Sequence, residues 1–183
     1  MGILLGFAPY IIFALLTGLS IDLALWAALA AAFVIAIRDF AHTRLLRVLD
    51  MGSVALFALL ALYTGFIRPD LSVAGVRLLV DGGLMTIALV SIFIGNPFTL
   101  DYAREQVPEE LWHTPYFLRT NYIVAGVWVL AFAAIAAADA AAAFSARFPL
   151  ALDIAASLAA LALAVVFTTR YPAYVRTRAD RSA

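Results

Sequence analysis

The chain has no cysteine and no lysine. The first absence excludes disulfides, thiolate metal sites and cysteine nucleophiles. The second excludes Schiff-base chemistry, a bound retinal included. All 12 basic residues are therefore arginines. Charge of either sign is scarce: charged residues make up 13% and the formal net charge is +0, which leaves no electrostatic footprint for nucleic acid.

What fills the space is apolar. Hydrophobic residues make up 66% of 183 positions and the mean hydropathy is +1.01. Soluble domains hold about 45–50% apolar and about 25% charged residues. So short a chain has no interior able to absorb the excess, and the class is an integral membrane protein. The Ala- and Arg-rich, Lys-free usage suggests a GC-rich bacterial genome.

Crossing the hydrocarbon core takes roughly 20 apolar residues as a helix. Such runs lie at about 2–19, 21–37, 51–67, 72–94, 121–143 and 149–169. They predict an all-α polytopic bundle of six transmembrane helices in one domain over 1–183. The first two runs are short and joined by "LSID", a tight hairpin in which one or both helices can fall short of a full crossing. Pro9 predicts a kink in the first. That run has no basic leader and no small-x-small cleavage site, so it is kept as a span and not read as a signal peptide.

Arginine placement sets the orientation. Six spans put Arg38, Arg44, Arg47, Arg104, Arg119, Arg170, Arg176, Arg178 and Arg181 on one side, against Arg68, Arg77 and Arg147 on the other. That asymmetry predicts both termini in the cytoplasm of a bacterial inner membrane.

Between the fourth and fifth spans lies the polar stretch "NPFTLDYAREQVPEELWHTPYFLRTN". Pro97 is expected to stop span four. Asp101 and Arg104 are neighbours on a helix surface. Pro108 with Glu109 and Glu110 reads as the start of a new turn, Trp112, Tyr116 and Phe117 suit the headgroup layer, and Thr120 or Asn121 can cap span five. Short interfacial helices are expected over 95–120. Asp101, Arg104, Glu105, Trp112, His113 and Arg119 are its candidate contacts to a lipid headgroup or a partner.

Span four carries "GVRLLVDGGLM". Asp81 falls about 13 Å along the helix from Ser72, near mid-bilayer, with Arg77 one turn earlier. Two readings stand: an Arg77–Asp81 pair tying helices together, or a protonatable carboxylate on an ion path. Asp153, near the outer end of span six, can complete a cluster with Arg77. Asp22, Asp70 and Asp139 are expected at the outer interface, in water. His42 and His113 lack metal-ligand spacing. No phosphate loop, nucleophile elbow or aspartate-rich metal motif is present, so no catalytic residue, metal or cofactor is assigned, and an enzyme is the less favoured class.

The layout resembles the intracellular septation protein A family, the YciB-like bacterial inner-membrane proteins. The likeness runs through "FAPYIIF", "SIDLALWAAL", "HTRLLRVLD", "GNPF", a Trp-containing polar loop, "LRTNYIVAGVW" and a basic tail. The loop here is longer and more acidic than that family's, and its lysines are absent. The resemblance implies a non-enzymatic role in cell-envelope integrity, septation or division, through lipids, envelope proteins or copies of the chain itself. The alternative from the residues is a small oligomeric transporter of protons, ions or small solutes using Asp81 and Arg77. A lipid-modifying enzyme is a third.

Overall fold

The computed structural model describes residues 5–44, 46–145 and 149–180, with the side chains of Thr43, Leu150 and 176–180 excepted. Arg147 and Arg181 lie outside the described residues. Seven α-helices follow one another: α1 Ala8–Leu16, α2 Ile21–Thr43, α3 Val48–Leu62, α4 Val73–Phe93, α5 Phe98–Arg104, α6 Pro115–Phe144 and α7 Leu150–Asp180. A π turn, Tyr63–Ile67, extends α3, and a 3-10 turn, Glu109–Leu111, follows α5. There is no strand among the described residues. Five helices, α2, α3, α4, α6 and α7, are long and apolar enough to cross a membrane.

Their outward faces agree. Phe33, Val34 and Ile37 on α2, Leu59 on α3, Leu130 on α6 and Leu158 and Leu163 on α7 are all exposed. So much outward apolar surface suits hydrocarbon and not water. The inward faces are built from smaller residues. Ala24, Ala28 and Ala32 form a buried row on α2, and Val76, Val80, Leu84, Ala88 and Ser91 form one on α4. Close approach through small residues is how helices associate where no hydrophobic force separates them from lipid. Between α3 and α4 two glycines set the distance: a Cβ on Gly52 would lie 2.7 Å from Ile87, and one on Gly83 would meet Leu56.

The first apolar run is the element that departs most from its sequence reading. α1 has 9 residues, about 14 Å of helix. Pro9 sits in its first two positions, where its missing N–H costs nothing, so it starts the helix and does not kink it. α1 is also an interior element. Phe7 stacks on Trp128 with centroids 4.9 Å apart and meets Phe98 and Phe132 edge-on. Tyr10 shares a 2.9 Å hydrogen bond with Ser53, and Phe13 lies against Phe57. Because 10 pairs with 53 and 13 with 57, α1 runs in the same direction as α3.

Two boundaries also differ. α4 ends at Gly95 (φ +80), where Gly95 N–H donates to Ile92 and Asn96 N–H to Ser91, a Schellman motif; Pro97 comes after the stop and opens α5. α6 begins at Pro115 with Thr114 as its cap, 3.3 Å from Phe117 N, so Thr120 and Asn121 are inside the helix and do not cap it.

Candidate functional site

Charged side chains gather at both ends of the bundle. At the end opposite the 94–114 loop, three helices converge on one cation. Arg77 lies in the second turn of α4, Asp139 in the last turns of α6 and Asp153 in the first turn of α7. Arg77 is 2.9 Å from Asp153 and 3.3 Å from Asp139. Both aspartates are 1% exposed at the side chain, Arg77 22%. Asp81 lies one turn deeper on α4, in the electrostatic neighbourhood of Asp139 and Arg77.

Asp153 thus joins Arg77 as expected. The Arg77–Asp81 ion pair does not form among the described residues, since Arg77 turns to the other two helices. Asp139 was placed in water by its sequence context, and that placement is corrected: it is buried at the centre of the cluster, while Asp22 and Asp70 are exposed.

The arrangement holds one guanidinium against three carboxyls. Like charges gathered away from water oppose one another. Beyond the ion pairs with Arg77 the oxygens of Asp139 and Asp153 have no hydrogen-bond partner among the described residues, and neither has Ser157 Oγ, one turn along α7. Among the described residues no group of three or more acidic or histidine side chains is arranged to hold a metal ion.

At the other end Arg47, just before α3, is the hub. It bridges Asp39 at 2.8 Å and Glu105, and its guanidinium lies 4.6 Å over the ring of Tyr102. Burial works against the charge of Arg47, but Asp39, Glu105 and Tyr102 more than offset it and hold the group above the ordinary arginine value. Asp50, one turn into α3, is buried at 4%. The sequence reading missed Asp39, Arg47 and Asp50 as a set, and no local spacing joins them.

α5 is drawn into this end and not laid on the surface. Phe98, Thr99, Leu100 and Tyr102 are buried; Ser91 Oγ accepts from Phe98 N–H at 3.0 Å, and Thr99 donates to the Asn121 carbonyl at 3.1 Å. Burial raises the carboxyl of Asp101 and the phenol of Tyr102 above their usual ranges. Of the six loop candidates, Asp101, Arg104 and Trp112 form one unit: Arg104 is 3.4 Å from Asp101 and 5.6 Å over the Trp112 ring. Glu105 turns to Arg47, and His113 and Arg119 are exposed and apart from both. Compared with protein-family models, with curated proteins and with solved structures, the chain matches none.

Proposed function

We propose that the chain is a small multi-pass membrane transporter whose Asp81, Asp139 and Asp153 bind and pass protons beside Arg77. One observation carries this reading: Asp139 and Asp153 share the single cation Arg77 inside the apolar bundle, and Asp81 adds a third carboxyl beside them that forms no ion pair among the described residues. A structural clamp needs no more carboxylates than cations, and ionisable groups within spans mark proton and ion pathways. Asp81 is the exchangeable member, because Asp139 and Asp153 are held by Arg77. In proteoliposomes carrying a pH gradient, the parent chain should dissipate the gradient and Asp81→Asn should not. Flux indifferent to Asp81→Asn and to Asp139→Asn would sink the reading.

The surrounding topology is part of the proposal. The arginine asymmetry, the direction of α1 along α3 and the meeting of the 38–50 and 95–120 loops at Arg47 support six passes with both termini in the cytoplasm of a bacterial inner membrane.

A second reading, envelope or division support through partners and lipids, draws on the outward residues Glu109, Glu110, Leu111 and His113. Under it, replacing Glu109, Glu110 and His113 together should abolish co-purification of envelope proteins. Unchanged co-purification counts against it.

A further inference from the structure

Between α6 and α7, at the loop-bearing end, α5 roofs a cleft of about 510 Å³. That lies within the ~300–1,000 Å³ range of sites that enclose small ligands. Val124, Trp128 and Val165 line its depth. The polar side chains there are already engaged: Trp128 Nε1 donates to Thr168 Oγ1 at 2.9 Å, and that hydroxyl donates to the Ala164 carbonyl at 2.7 Å. Thr120 and Asn121 each donate to a carbonyl one turn back on α6, at 2.9 Å. The depth of the cleft therefore offers a largely apolar wall, with the donors of Trp128, Thr168, Thr120 and Asn121 already engaged.

The mouth differs. A second hollow of about 360 Å³ shares Tyr116 and Thr120 with the first and runs outward past Arg119, Tyr171 and Tyr174. Arg119 is exposed and forms no ion pair with any described residue. A cation ringed by tyrosines at the edge of the bundle, with an apolar cleft behind it, has the polarity of one molecule type.

We propose that this cleft binds an anionic phospholipid, with an acyl chain along Val124, Trp128 and Val165 and the phosphate on Arg119. Basic pockets between spanning helices recognise anionic headgroups, and the tyrosines suit the headgroup level. Free phosphate would leave the apolar part unfilled. A zwitterionic lipid fills it equally but brings its own cation to Arg119. The site lies at the opposite end from the Arg77 cluster and stands whether or not that cluster moves protons.

The test is native mass spectrometry of the full chain in detergent, titrated with phosphatidylglycerol or phosphatidylcholine of identical acyl chains. The parent should retain phosphatidylglycerol at about fivefold higher occupancy, the ratio one arginine near an anionic headgroup provides. Arg119→Gln should bring the two lipids to parity, Arg119→Lys should restore the preference, and Val165→Trp should lower both. Equal retention by the parent overturns the proposal, and that comparison needs no variant to fold. So does a preference that survives Arg119→Gln, or a dimer that forms only as lipid leaves, which would put a second copy in the cleft.

Discussion

Arg77 stands 2.9 Å from Asp153 while Asp139 lies 3.3 Å from the same guanidinium nitrogen, so one side chain of α4 ties α6 and α7 together. Both acids lie within two turns of the end of their helices, across the connection that joins them. Arg77→Gln leaves two buried carboxylates without their cation, at a cost of about 3 kcal/mol, the low end for a broken buried pair because Arg77 is partly exposed. Adding Asp139→Asn and Asp153→Asn should recover most of that loss in detergent unfolding. A triple variant no more stable than Arg77→Gln alone would show that the pairs are not coupled.

Asp81→Asn has the opposite sign. It removes a carboxyl that lies beside Asp139 without holding an ion pair, so stability should stay level or rise while proton flux falls. A clear loss of thermal stability would make Asp81 a structural residue.

Adjacent glycines on α4 should respond in opposite directions. A Cβ on Gly82 meets nothing within 4 Å, whereas one on Gly83 collides with Leu56 of α3. Gly82→Ala should add about 0.5–1 kcal/mol by helix propensity. Gly83→Ala should cost about 1–3 kcal/mol through overpacking. Equal effects would mean that α3 and α4 are not so closely apposed.

Asp101 gives a pH signature. Burial raises its carboxyl above the usual 3.8, and Arg104 and Arg47 only partly oppose this. The folded chain then holds this proton more tightly than the unfolded chain. Its contribution is complete below that value and is lost as pH rises through the folded pKa. Asp101→Asn should therefore be more stable than the parent at neutral pH, with the gap closing on acidification. A gap that widens toward acid would reverse the assignment.

Arg47→Gln should release α5. Asp39 stays buried without the Arg47 guanidinium that lies 2.8 Å from it, at about 3–5 kcal/mol, and the 98–114 segment should become the first site of limited proteolysis. Unchanged protection of that segment would place its anchor elsewhere.

The long helices were legible in the sequence because hydropathy over some 20 residues is a bulk property that needs no knowledge of neighbours. The start of α6 was misplaced: Thr114 followed by Pro115 is a helix-start signal, but the polar residues after it pull a hydropathy window's start to about 121. Asp153 was reachable because it lies in the same layer as Arg77. Asp139 was not, since a single sequence gives a residue's height along its helix but not the direction it faces across the bundle. The interior place of α1 was hidden for a related reason. Its apolar residues look alike whether they meet lipid or Trp128, Phe98 and Ser53.

α1 is made before every surface that encloses it, and the part supplied by α6 comes well after the part supplied by α3. At about 5–20 residues per second, Trp128 is synthesised on the order of ten seconds after Tyr10. During that interval a nine-residue helix, too brief to hold a transmembrane position by hydropathy alone, has α2, then α3 and then α5 beside it, but not yet the Trp128 and Phe132 wall of α6. The enclosure of α1 is therefore complete only once α6 is in place. Lesions at Phe7, Tyr10 or Phe13 should then yield chains that reach the membrane normally and are removed there by quality control.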